Sequence, residues 1–368
     1  MSLAVQIEKK RKEIKTDGYP MSISEWISMY ERQELDIHPE FQRFFRWSHG
    51  QKTGLIESIL LGIPLPPIFV SQRADGVWDV VDGLQRLSTI LQFVGILRDE
   101  NGNEIEPLIL DGTKYLPALK DVQWEDKDDP KKSLSKDLQL VLKRSKIAAS
   151  IVLKESDETA KYDLFQRLNT GGSELSPQEV RNCLLIMINK PFFDWLKNLS
   201  KNEEFIATTA LSDRPLEEAY DVELALRFLV LSQVAPTEIK SVGDVGVFIT
   251  DKMTELAQNK KYKMAPAKKL FEETFLLLNE ALEDCAFKRY SVKKKRHEGG
   301  FLLSLYETVG LGVAFNIASG TLCSKAEIAE RARSLWSNPK FTDWATAGVT
   351  ANRRLPRLIP LGRDLFKK

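Results

Sequence analysis

At 368 residues, with 43% apolar and 29% charged side chains, the chain is long enough for two domains with ordinary globular cores. Its 53 basic and 52 acidic residues leave a formal charge of +1, so net charge favours no nucleic-acid, membrane or acidic partner and any electrostatic argument is local. The cysteines Cys183, Cys285 and Cys323 stand far apart, which excludes a disulfide framework and zinc-type Cys/His spacing and predicts reduced, mostly buried thiols.

From the N-terminus, Met1 to Thr16 is charged and lacks the apolar stretch of an export signal, and no later run reaches membrane-spanning length. A cytoplasmic chain opening on a solvated helix start is expected. Ser22 to Glu34 has apolar residues at Ile23, Trp26, Ile27 and Tyr30, a helical spacing. Ser48 and Gln51 form a capping box for a helix that carries Leu55, Ile56, Ile59 and Leu60 and stops at Gly62. Pro64 to Pro67 cannot continue it. Ile68 to Val70 and Val77 to Val81 are β-rich runs joined by Ala74-Asp75-Gly76, a hairpin pattern. Asp82-Gly83 follows, then an apolar helix from about Gln85 to Leu97. Trp124 to Lys132 reads as a charged, proline-broken loop, Lys146 to Leu153 as a strand, and Thr159 to Leu168 as a helix. Beyond Ser176-Pro177-Gln178-Glu179, a strong helix start, the pattern is nearly all helical: Pro215 to Val234, Val242 to Gln258, Ala267 to Ala286, Phe301 to Ala318, and a last box at Ser324 and Glu327. Lys201 to Pro215 is polar and weakly periodic, so domains of 1–200 and 201–368 are expected, α+β followed by mostly α-helix.

Three stretches carry chemistry. Asp82-Gly83-Leu84-Gln85-Arg86 lies where a strand meets a helix start, whose free N–H groups and dipole attract anions. Gly83 permits close backbone approach, Arg86 offers a planar fork to phosphate, Gln85 can donate to phosphate or place a water, and Asp82 can hold magnesium or orient Arg86. The bland alternative is a turn whose aspartate caps the helix and pairs with the arginine. Spacing leaves both open. Pro39 to Trp47 interleaves arginines with aromatics, and Phe165 to Gly172 runs a helix into a double-glycine loop; alone, each reads better as packing or a helix stop.

The order of these stretches resembles the N-terminal domain of GmrSD-type modification-dependent restriction enzymes, related to ParB and sulfiredoxin folds. The resemblance is carried by Ile37 to Trp47, Leu55 to Ile68, Val80 to Thr89, and Phe165 to Gly172 continuing to Asn182, about half the chain. It implies a ParB/sulfiredoxin-like nucleotide-binding domain followed by a helical domain. It also implies a nucleoside triphosphate site with magnesium at Asp82, with Asp82, Gln85 and Arg86 as catalytic residues. Gln42, Arg43 and Gly83 would bind nucleotide with Arg86, and Arg167, Asn169 and Thr170 would close the pocket. The family's Asp-Gly-Gln-Gln-Arg motif has Leu84 at its third position here, a departure that bears on hydrolysis more than on binding. The implied function is an NTP-hydrolysing component of a bacterial restriction or phage-defence system; a non-hydrolysing nucleotide switch and a ParB-like DNA endonuclease are the alternatives.

Two-part members of that family carry a histidine-metal nuclease domain. The histidines here are His38, His49 and His297, unclustered, so a separate nuclease or effector chain is expected to cut DNA. A basic run, Lys288 to His297, includes Lys293, Lys294, Lys295 and Arg296 and is a candidate DNA contact, weighed against a solvated loop. The basic C-terminus carries Leu355, Leu358, Ile359 and Leu365, which predict that it packs. Oligomeric state stays open.

Overall fold

The computed structural model describes residues 2–3, 15–37, 47–99, 101–156, 176–346 and 348–368. It is a mixed α/β fold followed by a mostly helical one, and the chain divides into compact units Met1–Leu175 and Ser176–Lys368. The division falls before the expected 200/201 because the helix opened at Ser176 packs on the helices that follow it. The polar stretch read as a boundary instead holds the helix Glu203–Thr209, with Phe205 buried.

The first unit is built on a five-stranded sheet: β1 (Thr16–Ser22), β2 (Leu35–Asp36), β3 (Ile68–Gln72), β4 (Trp78–Asp82) and β5 (Lys146–Val152), in the order β1-β5-β3-β4-β2. β1 pairs antiparallel with β5, β5 parallel with β3, β3 antiparallel with β4, and β4 parallel with β2. The helices are α1 (Ile23–Glu31), α2 (His49–Leu60), α3 (Leu84–Val94) and α4 (Lys136–Arg144). α2 opens on the expected capping box, Ser48 N–H donating to Gln51 Oε1 at 2.8 Å and Gln51 N–H to Ser48 Oγ at 3.3 Å, and Gly62 beyond it is left-handed. Ile56, Ile68, Val70, Leu87, Phe93 and Leu142 are buried at its core. Trp26 Nε1 donates to the Ile147 carbonyl at 3.3 Å, which ties α1 to β5. β1 begins where the segment expected to be solvated, Met1 to Thr16, ends and was not read from the sequence: Thr16–Ser22 has no apolar alternation, and its strand form comes from pairing with β5, far along the chain. The helix expected over Thr159 to Leu168 lies outside the described residues.

In the second unit the helices are α5 (Pro177–Leu199), α6 (Glu203–Thr209), α7 (Tyr220–Leu231), α8 (Val245–Gln258) and α9 (Met264–Leu282), then α10 (Leu311–Ala318), α11 (Lys325–Ser334) and α12 (Ala351–Leu365). α5 starts on the predicted Ser176/Glu179 box and kinks at Asn189, before Pro191. The helix expected over Pro215 to Val234 breaks at Ala219, which is left-handed. Between Phe301 and Ala318 a π-helical turn, Tyr306–Gly310, interrupts the helix. Phe205, Phe228, Phe271 and Phe275 form the core with Tyr306, whose hydroxyl donates to the Leu224 carbonyl at 2.7 Å. The C-terminus packs as predicted, with Leu355, Leu358 and Ile359 buried in α12. Cys183 and Cys323 are buried free thiols and Cys285 is half-buried. Among the described residues no helix is long and apolar enough to cross a membrane.

Candidate functional site

β4 delivers Asp82 to the turn through a register shift. Val70 lies opposite Val80, yet Phe69 lies opposite Asp82, so Val81 is an extra residue in β4. Such an irregularity re-aims the side chains after it. Gly83 follows at φ +95° as the N-cap of α3 and offers no side-chain cap. A Cβ there would sit 2.8 Å from Ile68 Cγ1 and 3.0 Å from Arg86 Nη2, so both conformation and space select glycine. Asp82 does not cap the helix, contrary to the bland reading; among the described residues the first turn of α3 presents its backbone N–H groups without a side-chain acceptor.

Arg86 is more enclosed than a free phosphate ligand. Its side chain is 11% exposed, lies 3.5 Å from Asp82 Oδ2, and donates to the carbonyls of Pro66 (through Nη1) and Pro67 (through Nη2, 3.1 Å). Burial pulls its pKa down, with Asp82 acting in the opposite sense. The internal pairing in the bland reading is therefore present. The Pro64–Pro67 segment, read from sequence only as a helix stop, supplies the two carbonyls that fix the fork. Gln85 is buried, and its Oε1 accepts the Trp47 N–H at 3.4 Å. Leu84, the departure from the family motif, is buried in the core, so at this position the chain packs an apolar side chain rather than displaying a polar one.

Asp82, Gly83, Gln85 and Arg86 thus converge on one turn. Gln42, Arg43, Arg167, Asn169 and Thr170 lie outside the described residues. Among the described residues no group of three or more His, Cys, Asp or Glu is arranged to hold a metal ion. The sequence reading missed a second charged cluster, on β2, β4 and the residue after β3: Arg73 Nε donates to Asp79 Oδ2 at 2.9 Å, and its Nη2 to Asp79 Oδ1 and to Asp36 Oδ2, the latter at 2.6 Å. Burial lowers the Arg73 pKa, but the bonds and charges of the two aspartates outweigh it and raise it overall. The hairpin sets Arg73 beside Asp79, but only the sheet brings Asp36 to them, 37 residues from Arg73, so no local pattern could have shown the full cluster. Lys293, Lys294, Lys295 and Arg296 are exposed on a two-stranded hairpin of the second unit, β6 (Arg289–Ser291) and β7 (Arg296–Glu298).

The fold and this turn define a mixed α/β unit whose bulged strand runs into an uncapped helix start backed by an arginine. Residues 23–186 match the family model of the GmrSD restriction endonuclease, N-terminal domain. No curated protein and no solved structure matches the chain.

Proposed function

We propose that the chain is the nucleotide-binding component of a DNA restriction or phage-defence system, acting with a separate effector chain, and that it binds a nucleoside triphosphate at the Asp82–Arg86 turn. The observation that carries this reading is Gly83: a left-handed residue with no room for a Cβ, opening a helix whose first N–H groups have no side-chain cap among the described residues. The family match over residues 23–186 supports the restriction context. The residues fit a magnesium nucleotide, because Mg²⁺ is commonly held by one or two carboxylates together with substrate phosphates, and Asp82 is the partly exposed carboxylate at the turn. When bound, the ion would neutralise phosphate charge. Gln85 would donate to a phosphate or position a water, and Arg86 would set the positive potential beneath the turn.

Non-hydrolysing binding is the second reading, favoured by two features. Arg86 is held by the Pro66 and Pro67 carbonyls, and Leu84 is packed in the core. Both leave fewer groups to follow charge as it develops on a transferring phosphoryl group.

The test is calorimetric binding and phosphate release with each of the four ribonucleoside triphosphates and Mg²⁺. It uses the wild type, Asp82→Asn and Gln85→Ala, with thermal melts checking that the variants fold. Turnover lost in folded Gln85→Ala supports the NTPase, and binding without turnover leaves the switch. No binding to any nucleotide refutes the site. DNA cleavage by the chain with metal alone, abolished in Asp82→Asn, would instead establish the endonuclease alternative.

A further inference from the structure

The segment Lys288 to His297 contains six basic residues and no acid, in a chain whose net charge is only +1. It forms the β6–β7 hairpin. At its base Leu302 N–H donates to the Phe287 carbonyl at 2.9 Å, and Phe287 and Phe301 pack edge to face with centroids 5.7 Å apart. Along its length Tyr290 pairs across the strands with His297, their rings 5.1 Å apart. Two cation–π contacts fasten it to the helical body: Arg289 lies 5.5 Å from the Trp336 ring, and Arg333 lies 5.8 Å from the Tyr290 ring.

The tip is chemically costly. A tight β turn ordinarily places Gly, Asn or Asp where φ is positive, yet here Lys295 stands at φ +51° within three consecutive lysines. A non-glycine residue in that region costs about 1 kcal/mol or more. Like charges are crowded there as well. Lys294 is paired with Glu298 at 2.9 Å, and Lys288 with Asp284 at 2.6 Å. Lys293, Lys295 and Arg296 make no ion pair among the described residues and are exposed, beside the half-exposed Val292. Turn strain and charge crowding both oppose folding, and among the described residues Lys293, Lys295 and Arg296 have no ion pair to offset the crowding. A polyanion would offset both.

We propose that the β6–β7 hairpin is a duplex-DNA contact, with Lys293, Lys295 and Arg296 neutralising backbone phosphates. Duplex DNA is the occupant because a two-stranded ribbon fits the major groove, about 12 Å wide, and cations carried on the turn and on β7 can then reach the backbone phosphates that line it. The inference rests on the reading that the chain acts on DNA, but not on the nucleotide site.

The test is fluorescence anisotropy of the full chain with a labelled 20-base-pair duplex between 50 and 200 mM salt. Lys293→Ala/Lys295→Ala/Arg296→Ala is compared with a control of equal charge change at exposed lysines elsewhere, Lys260→Ala/Lys261→Ala/Lys263→Ala. The hairpin variant should bind at least about tenfold more weakly and lose about 3 from the slope of log affinity against log salt, near 0.9 per phosphate contact. The control should stay close to wild type. Lys295→Gly, which relieves the left-handed lysine, should keep or raise the urea midpoint while weakening DNA binding. Wild-type affinity in the hairpin variant, or an equal loss in the control, overturns the hairpin assignment and leaves the DNA reading standing. No wild-type binding to duplex overturns both, and tighter binding of a single-stranded RNA of equal length overturns the assignment to duplex.

Discussion

Gly83 and Arg86 meet at the N-terminus of α3, and each constrains the other. The glycine has φ +95°, and its missing Cβ leaves the space that Ile68 and the Arg86 guanidinium occupy. Gly83→Ala should therefore destabilise the protein by about 2 kcal/mol or more, combining left-handed strain with overpacking, read as a lower urea midpoint at unchanged slope. Arg86→Lys keeps the charge but loses the planar fork that reaches two carbonyls at once. It should cost about 1–3 kcal/mol by the same measurement. A neutral result for Arg86→Lys would mean that the charge beside Asp82, rather than the fork, is what the turn requires.

The same local logic fixes whole elements. α2 and α5 begin where serine and a residue three places on satisfy each other's backbone, as the sequence predicts. At α11 the glutamate does more: Glu327 Oε2 accepts the Ser324 N–H at 2.9 Å and its hydroxyl at 2.6 Å, while Oε1 accepts from Arg331 at 2.5 Å. These bonds, the Ser324 hydroxyl first, hold the Glu327 carboxyl down to about 2, against an ordinary 4.5. Because the folded value lies below the unfolded one, the unfolded chain binds more protons between these pH values. The contribution is complete above 4.5 and is lost as pH falls toward 2. Glu327→Gln should lower the urea midpoint at pH 6, and its difference from wild type should shrink as the pH drops through this window. A difference that stays constant would show that the carboxylate's charge does not contribute.

Across the molecule, the helical unit has a feature its apolar periodicity does not announce, a buried chain of charges. Arg181 on α5 lies 3.1 Å from Glu223 on α7, Glu223 lies 2.7 Å from Arg227, and Arg227 lies 3.6 Å from Glu307 in the π turn. Arg354 on α12 grips Glu307 at 2.6 and 3.0 Å. Glu307 is fully buried, and the widened turn lets it face two arginines. Such a chain contributes less than its contacts suggest while intact, but losing one member leaves buried charge uncompensated. Glu307→Gln should cost about 3–5 kcal/mol, seen as a lower thermal midpoint in calorimetry. Loss of less than about 1 kcal/mol would mean that water reaches the arginines. α12 approaches this turn because Gly362 has no side chain, and a Cβ there would collide with the Thr308 carbonyl oxygen.

What the sequence determined by itself was whatever depends on neighbours within a few residues. The capping serines, the glycine stops, the β3–β4 hairpin, the strand-to-helix turn at Asp82–Arg86 and the apolar stripe of α12 all lie in short contiguous patterns, where backbone sterics and hydrogen-bond satisfaction between near neighbours decide. The family was legible for the same reason, since its signature is a series of such short stretches in order. Tertiary structure decided the rest. β1 is a strand only because β5 pairs with it, and the place of β5 between β1 and β3 follows no local signal. Arg86 is gripped by carbonyls about twenty residues upstream, and Arg73 is tied to Asp36 on β2, 37 residues before it. The domain boundary falls at Ser176 because α5 buries its apolar face on later helices. Each of these rests on contacts between residues distant in sequence, formed only once burial of the apolar faces has brought their backbones together.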